Sequence, residues 1–453
     1  MIFQREMPSP STPLLKHLAA MICVIFVVFN AVSARAASLI RDPDIEYALA
    51  QLANPILTSA GLGRNVRILV VNDRSLNAFV VDSQHIFIHS GMILKMDSPE
   101  MLQAVIAHEA AHIANGHITR RLGNLGAAKT AAAFGLAVAA LAAATTGNSE
   151  AAAGIAIGTQ SAAQRQFLAH TRAEESSADQ SGVRYMARAN IDPKGAIAVH
   201  DLFRGQELLN VSRQDPYMRS HPLTRDRKRA MEGFAAAYGG KAKPQPSADY
   251  WFARAKGKLS AFTVSPKWTL RRAKESPSQD IRLMREAIAY HRQSNQSKSV
   301  ATLNKAISLR PNDPFLYELK GQFLLESRKF TAALSAYKRA VDLAPRNALC
   351  LSGYGRALLA AGKPKQALKV LEKARARDFR DARLLRDLGA AYAQTGQNGM
   401  ASLATAERYA LQGRMKDAGI HAKRATGLLS RGSGPWRRAS DIESAAQRAA
   451  KRK

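Results

Sequence analysis

The feature that most constrains this fold is a 34-residue period in the second half of the chain. Glycine, alanine and proline return at this spacing in one shared register, at Gly321, Gly355 and Gly389, at Ala333, Ala367 and Ala401, at Ala306, Ala340 and Ala374, and at Pro311 and Pro345. Glycine in a first helix, alanine in a second and proline at the turn indicate helical hairpins that bury a core only by stacking on one another. Residues 314–345 and 348–381 are clear units, and their neighbours are degenerate, as expected of terminal units that close an open core.

This period is the tetratricopeptide pattern, and we assign it to residues 250–430. A linker rich in glycine, lysine and proline, residues 239–249, precedes it. The basic tail, residues 431–453, is interpreted as solvated and mobile. Because 453 residues exceed what one core usually holds, residues 37–238 are expected to fold as a separate domain.

The first 36 residues are typical of an export signal. Arg5 and Lys16 supply a basic start around an apolar run, Leu18–Phe29, and Ala34–Ala36 offers a small-x-small cleavage pattern. The alternative is an uncleaved anchor, because the run approaches the length that spans a bilayer. After cleavage Cys350 is the only cysteine left, so we expect no intramolecular disulfide.

The net charge of +31 is not accompanied by a nucleic-acid-binding motif, and the basic residues are spread along the chain. We therefore expect attraction to anionic surfaces and acidic partners, including peripheral membrane contact, and no nucleic-acid binding.

The domain over residues 37–238 combines helices with a few short strands. Asp42 caps a first helix, and Ser98 begins another that has a proline and a glutamate in its first turn. Between them lie three β-type runs, of which the last two are spaced as a hairpin, at residues 65–71, 77–81 and 85–89. An uncharged, Ala/Gly-rich stretch, residues 130–149, predicts a helical hairpin that is either tightly packed or membrane-facing. The fold class is thus α+β, a mostly helical domain with a small sheet, followed by an all-α array.

The helix that starts at Ser98 carries the pattern His-Glu-Ala-Ala-His. Residues four apart lie on one helix face, so His108 and His112 can reach one metal ion, and Glu109, about 100° round the axis, can touch a water on that ion. Apolar residues cover the other faces, so we expect a buried helix, in which these polar groups are costly unless something satisfies them. The alternative is a chance match with hydrogen-bonded histidines.

A downstream acidic pair favours the metal site. Glu175 and Asp179 lie four apart on a second expected helix. Glu175 can be a third ligand that leaves the fourth position open to water. Asp179 can accept the other ring N–H of a ligand histidine and fix its tautomer. His117 lies on the far side of the first helix from His108 and is expected to be structural.

Four motifs taken in order resemble one known family: NAF, HEAAH, ESSAD, and SHP within Arg219–Arg227. They resemble the zinc metallopeptidases related to the CAAX prenyl proteases. The attached tetratricopeptide array makes the periplasmic BepA-like branch the most similar part of that family. The resemblance covers residues 40–425.

The resemblance implies one Zn²⁺ per chain in a zincin-type domain. Its ligands would be His108, His112 and Glu175. Glu109 would act as general base and acid, and Asp179 would support a ligand histidine. His221 would fill the open coordination position and hold the enzyme inactive until it moves away, and Arg227 would steady the tetrahedral intermediate.

Substrate is expected to be extended polypeptide that pairs with an edge strand around Asn77, Ala78 and Phe79, although simple core packing is an equal alternative for this strand. We therefore predict an exported, periplasmic zinc endopeptidase that cleaves unfolded or misassembled proteins in outer-membrane protein quality control. Its repeats would recruit the client or the assembly machinery. The alternative is mainly a chaperone or scaffold with latent protease activity.

Overall fold

The structure is a computed structural model that describes residues 38–120, 172–238 and 242–451. The expected export signal, the stretch 130–149 and the start of the expected linker lie outside these ranges. Within them, no helix combines the length and the apolar character needed to cross a membrane.

A small sheet forms one layer of the N-terminal unit, by which we mean residues 38–120 and 172–238. Its four strands in these ranges are β1 (Leu39–Ile40), β2 (Arg67–Val71), β3 (Ala78–Val80) and β4 (His85–His89), in the order β1-β2-β4-β3. Strands β2 and β4 are parallel, and the other two pairs are antiparallel. The expected hairpin between β3 and β4 is confirmed, and β3 lies at the edge of the sheet. Strand β1 was not predicted, because two residues are too few to show an alternating pattern.

Helices cover this sheet and enclose the buried core of the unit. They are α1 (Pro43–Ser59), α2 (Ser90–Lys95), α3 (Pro99–Ala114), α4 (Arg172–Arg188), α5 (Lys194–Leu202), α6 (Pro216–Ser220) and α7 (Arg225–Tyr238). The central helix is α3, which packs against α1, α4, α5 and the edge strand β3. Every residue from Met101 to His112 is buried, as the apolar pattern around His-Glu-Ala-Ala-His predicts.

The repeat array, which we define as α8–α19, follows. Its helices are α8 (Pro246–Thr263), α9 (Pro266–Arg272), α10 (Gln279–Arg292), α11 (Gln296–Leu309), α12 (Pro314–Glu326), α13 (Phe330–Leu343), α14 (Ala348–Ala360), α15 (Pro364–Arg375), α16 (Ala382–Gln394), α17 (Asn398–Leu411), α18 (Met415–Leu428) and α19 (Gly434–Ala450). From α10 onward consecutive helices pair as hairpins, including the units that looked degenerate in sequence. The predicted α+β class with a following helical array is confirmed.

The periodic glycines mark places where the two helices of a hairpin approach closely. A Cβ added at Gly321 of α12 would lie 2.6 Å from Cδ2 of Tyr337 on α13. A Cβ at Gly355 of α14 would lie 2.4 Å from Cδ2 of Leu371 on α15. At these two positions the period therefore arises because the first helix needs a residue without a side chain opposite a bulky residue of its partner.

The C-terminal residues differ from the expected mobile tail, because residues 434–450 form α19. Ser433 accepts a hydrogen bond from the backbone N–H of Trp436 at 3.2 Å, and a proline occupies the first turn. The Trp436 indole N–H donates to the carbonyl of Thr426 at 3.2 Å, and Ala439 is fully buried against the preceding hairpin. The basic composition hid an amphipathic helix that covers the end of the core.

Two clusters of buried charge join the array to the N-terminal unit. In the first, the sheet-end cluster, Arg41 Nη2 lies 2.6 Å from Asp378 Oδ2 and Arg41 Nε lies 2.6 Å from Glu46 Oε1. Arg67 Nη2 lies 2.9 Å from the same oxygen of Asp378. Asp378 follows α15, so a turn of the array inserts a carboxylate between two arginines of the N-terminal unit.

In the second, the α8 cluster, Arg254 and Lys258 are both buried. Arg254 donates to the two carboxylate oxygens of Asp44 at 2.7 and 3.1 Å, and it also donates to Asp313. Lys258 Nζ lies 2.9 Å from Asp42 Oδ1. Buried charges of this kind are tolerated only when they are paired, so the clusters fix how the array lies on the N-terminal unit.

Glu318 of α12 makes the stability of this contact depend on pH. Burial raises the pKa of Glu318 to about 7, with Lys258 opposing the rise and Asp42 adding to it. The unfolded carboxyl titrates near its usual value of about 4.3. The folded state therefore binds the proton more tightly, and this group lowers the free energy of unfolding progressively as pH rises from about 4.3 to about 7.

We expect Glu318→Gln to remove that slope, a difference of up to about 3 kcal/mol between pH 4 and pH 8. Urea unfolding of wild type and Glu318→Gln across this range measures it. Glu232→Gln, at an exposed position of α7, is the control and should keep the wild-type slope. Equal pH dependence in all three proteins would contradict the role of Glu318.

Candidate metal centre

Helix α3 directs two histidines toward one point inside the N-terminal unit. Ser98 accepts a hydrogen bond from the backbone N–H of Met101 and so begins the helix in the expected place. His108 and His112, one turn apart, have ring centroids 4.7 Å from each other, and both side chains are buried. The helix ends at Ala114, and Gly116 has a φ of +69°, which turns the chain back on itself.

Helix α4 carries two carboxylates to the same place. Gly182 permits the approach, because a Cβ there would lie 3.3 Å from the carbonyl carbon of Ala107 and 3.3 Å from the nitrogen of His108. Glu175 and Asp179, one turn apart on α4, are 1% and 4% exposed. Two helices from distant parts of the sequence therefore meet backbone to backbone beside the histidines.

Four side chains form one compact cluster of donor atoms: His108, His112, Glu175 and His221. Their ligand atoms all lie within 4.8 Å of one another. The closest approaches are His108 Nε2 to His112 Nε2 at 3.0 Å, His108 Nε2 to His221 Nδ1 at 3.3 Å, His221 Nδ1 to Glu175 Oε1 at 3.0 Å, and His112 Nε2 to Glu175 Oε1 at 3.4 Å. A tetrahedral zinc ion with bonds of about 2.0–2.1 Å separates its ligand atoms by roughly 3.3 Å. The donor set and its spacing therefore fit zinc.

His221 follows the short helix α6. Its backbone N–H donates to the carbonyl of Tyr217 at 2.8 Å, and the two rings lie 4.8 Å apart. The N–H of Tyr217 in turn donates to the carbonyl of Leu76, just before the edge strand, at 3.1 Å. His221 supplies a fourth protein donor, and four protein ligands are the arrangement of a closed site with no position for water or substrate.

The charges around the cluster differ between its two helical histidines. Burial disfavours protonation of His108, but hydrogen bonds with Asp179 and Glu175 outweigh it and raise its pKa to about 10. Burial lowers the pKa of His112 well below its usual value. Since a histidine must be neutral to bind a metal, a proton leaves His108 when an ion binds, and we expect binding to weaken as pH falls.

Glu109 lies beside the cluster without belonging to the four donors. Its side chain is fully buried, and neither carboxylate oxygen has a hydrogen-bond partner. Glu109 Oε1 lies 3.4 Å from His221 Nε2. Burial raises the pKa of Glu109, although the charges of His221 and His108 oppose the rise. An unsatisfied buried carboxylate with a raised pKa is suited to exchanging protons with a group that enters the site.

Asp179 and Arg227 lie behind the cluster. Asp179 Oδ1 is 3.0 Å from His108 Nδ1, the contact expected of an acceptor that fixes the tautomer of a ligand. Arg227 donates to both oxygens of Asp179, at 2.7 and 2.8 Å. Its guanidinium is therefore engaged with a carboxylate in this structure, and its expected role toward the tetrahedral intermediate stays a prediction.

His117 was expected to be structural, and its contact with the cluster was missed. It is buried, and its Nδ1 lies 2.8 Å from Nδ1 of His112, the ring nitrogen opposite the donor Nε2. His117 is not one of the four donors. The prediction placed His117 outside the site only while α3 continues, and the Asn115-Gly116 pair indicated that the helix could end there. The turn at Gly116 carries His117 back toward His112.

The edge strand contains the three residues expected to pair with substrate. The side chains of Ala78 and Phe79 are buried, and Phe79 stacks on Phe87 with ring centroids 5.3 Å apart. The backbone carbonyl of Asn77 accepts a hydrogen bond from the backbone N–H of His89 at 2.9 Å. The side chains of Ala78 and Phe79 thus serve the core, and pairing of a substrate with this edge remains a prediction.

Removing the carboxylate behind His108 should weaken metal binding. We expect Asp179→Asn to lower the affinity for zinc roughly 10–100-fold, because His108 loses the acceptor that fixes its ring. Competition with a chelating dye measures the affinity. Asp226→Asn, at an exposed position of α7, should bind zinc as wild type does. Equal affinity of Asp179→Asn and wild type would show that Asp179 does not support a ligand.

Comparison with known proteins identifies the two parts of the chain. Residues 40–235 match peptidase family M48, and residues 284–348 and 324–391 match two tetratricopeptide repeat families. The chain therefore has a peptidase family M48 domain followed by tetratricopeptide repeats, which places it among the metallopeptidases.

Two curated relatives are similar to this chain over about half of it or more. The beta-barrel assembly-enhancing protease of Escherichia coli (strain K12) is 23% identical over 393 residues, which cover 84% of this chain and 79% of that protein. The putative beta-barrel assembly-enhancing protease of Vibrio cholerae is 29% identical over 224 residues, which cover 48% of this chain and 44% of that protein. The chain thus spans less than half the length of the Vibrio relative. The resemblance to BepA-like peptidases is confirmed.

Among solved structures, MamA from Desulfovibrio magneticus RS-1 is 21% identical and covers 36% of this chain and 96% of its own, with a TM-score of 0.32. This score is too low to support a conclusion.

Proposed function

We propose that this protein is an exported, zinc-dependent endopeptidase that cleaves unfolded or misassembled polypeptides during the assembly of outer-membrane β-barrel proteins. The observation that carries the proposal is the cluster of His108, His112, Glu175 and His221 beside the buried carboxylate of Glu109, whose oxygens have no hydrogen-bond partner. It lies within the part of the chain that matches a peptidase family. The names of the relatives support the β-barrel client.

Three of the four donors would hold the metal during catalysis: His108, His112 and Glu175. Zinc in this position would polarise the scissile carbonyl and lower the pKa of water to about 7. Glu109 takes a proton from the attacking water and delivers it to the leaving amine nitrogen. Its raised pKa suits both transfers, since a carboxylate that titrates closer to neutral pH accepts and returns protons more readily.

His221 controls when this chemistry is possible. While its ring contributes the fourth donor, a substrate carbonyl has no place in the cluster. Movement of the loop after α6 would withdraw this ring and open one side of the metal cluster to substrate. The contact between His221 and Glu109 at 3.4 Å is also lost on opening, which releases the general base.

Substrate is proposed to bind as an extended strand along β3, the edge strand packed on α3. Backbone pairing at a sheet edge is insensitive to side-chain identity, and only an unfolded segment can offer a free strand. Unfolded client is therefore favoured over native protein. The repeats would recruit this client, or the machinery that assembles it, and the N-terminal signal would send the protein to the periplasm.

A specific observation also favours a second function, that of a chaperone or scaffold. His221 completes a four-donor cluster, so the zinc would be closed off in the state described here. If Glu109→Gln supports the folding of a β-barrel client as well as wild type does, the scaffold role is the main one.

The proposed peptidase is tested with an outer-membrane β-barrel protein diluted from urea, incubated with zinc-loaded wild type, His221→Ala or the control His421→Ala. We expect His221→Ala to cleave the polypeptide faster than wild type, and His421→Ala, altered in the array, to match wild type. Removal of zinc by a chelator should stop cleavage in all three. Intact client after incubation with wild type and His221→Ala, each holding stoichiometric zinc, would refute the proposal.

A further inference from the structure

We propose that Arg227 is a positioning residue that latches His221 inside the metal cluster. The inference rests on the proposed function, since it concerns the same site. It assigns Arg227 a place in the control of the site, in contrast to the contact with a reaction intermediate that the sequence motifs suggested.

The guanidinium of Arg227 is committed to three partners. Nε and Nη2 donate to the two oxygens of Asp179 at 2.7 and 2.8 Å. Nη1 donates to the carbonyl of Pro222 at 2.7 Å and lies 2.9 Å from Glu175 Oε2. The side chain is 6% exposed. A fork that is already bidentate to one carboxylate and in contact with a second is held in a fixed orientation.

The bond to Pro222 is the one that restrains the loop carrying His221. Pro222 follows His221 directly, so its carbonyl moves with the loop that carries the His221 ring. Asp179 and Glu175 belong to α4, and Arg227 belongs to α7. Arg227 therefore ties the His221 loop to α4, the helix that carries the donor Glu175 and the carboxylate of Asp179, which contacts His108.

The remaining bonds of this loop do not reach the cluster. The His221 N–H is bound within its own short helix, to Tyr217 at 2.8 Å. Thr224 Oγ1 accepts from the backbone N–H of Arg227 at 3.2 Å, which fixes the start of α7. In the described part of the chain, the bond from Arg227 to Pro222 links this loop to α4 through Asp179, in addition to the contacts of the His221 side chain. Its loss should release the ring from the fourth position.

The latch predicts a spectroscopic difference that a role in transition-state binding does not. Full-length protein is loaded with Co²⁺, whose visible absorption depends on the atoms that bind it. We expect the band of His221→Ala, in which water replaces an imidazole nitrogen, to differ from the wild-type band, and the band of Arg227→Ala to shift toward that of His221→Ala at equal cobalt content. Lys228→Ala, which removes the next side chain along α7, should keep the wild-type spectrum. Arg227→Lys, which retains the charge but not the fork, should fall between.

A wild-type cobalt spectrum in Arg227→Ala would overturn the proposal and leave Arg227 with its suggested role toward the intermediate. Identical spectra of wild type and His221→Ala would also overturn it, because there would be no bound ring to hold.

If Arg227→Ala does not retain cobalt, amide hydrogen exchange of metal-free wild type and Arg227→Lys decides the matter. Faster exchange in residues 216–224 of Arg227→Lys supports the latch, and unchanged exchange refutes it. Neither readout depends on peptide hydrolysis. If no variant cleaves polypeptide, the proposed function fails while the latch is still tested.

Discussion

Glu109→Gln is expected to lower the rate of peptide hydrolysis by roughly 10²–10⁴-fold while zinc stays bound. The substitution keeps the shape of the side chain and removes its ability to carry a proton. Glu109 is not among the four donors, so metal content should not change. Glu109→Gln is compared with its parent in the His221→Ala background, where the site is open and the measured rate is that of peptide hydrolysis.

The control for this prediction is Glu100→Gln, which alters a glutamate in the first turn of the same helix. It should cleave at the rate of the His221→Ala parent. Zinc stoichiometry is measured for each protein beside the initial rate of cleavage. A Glu109→Gln protein that cleaves at the parental rate would mean that another group moves the proton.

Breaking the α8 cluster should have the largest effect on stability. Arg254 is 2% exposed and holds Asp44 and Asp313 together. Arg254→Met leaves these two carboxylates without their main counter-charge, and removing one partner of a buried ion pair costs about 3–5 kcal/mol. Urea unfolding of the full chain measures the loss in free energy of unfolding.

The matched control is Arg414→Met, which breaks a surface pair in the array. Arg414 Nη2 lies 2.6 Å from Asp417 Oδ2, and both side chains are more than a third exposed. Water already screens this pair, so its loss should cost much less. If both variants lose the same stability, burial of the α8 cluster does not strengthen the contact between the array and the N-terminal unit.

The sequence was sufficient to predict helices and site residues wherever the information lies in local periodicity. The 34-residue period predicts the hairpins of the array, and the spacing in His-Glu-Ala-Ala-His places both histidines on one face of α3. Glu175 and Asp179 were found for the same reason, because they are one turn apart on α4. Each of these inferences needs only the geometry of a helix.

Contacts between distant residues could not be read from these patterns. Arg41 and Asp378 are 337 positions apart, and no spacing rule connects them. His221 was assigned to the cluster only through the family resemblance, because the short helix before it gives no periodic signal. Arg227 was matched by motif, but its partners depend on how α7 packs against α4.

The two charge clusters also limit which repeat arrays can be combined with this peptidase domain. An array transferred from a relative would fit this peptidase domain only if it brought carboxylates to the places of Asp313 and Asp378. Without them Arg41 and Arg254 would each lose one of the carboxylates that neutralise them in a buried contact. Peptidase domain and repeats are therefore expected to be inherited together, and a hybrid with a mismatched array should fail to fold before it fails to cleave.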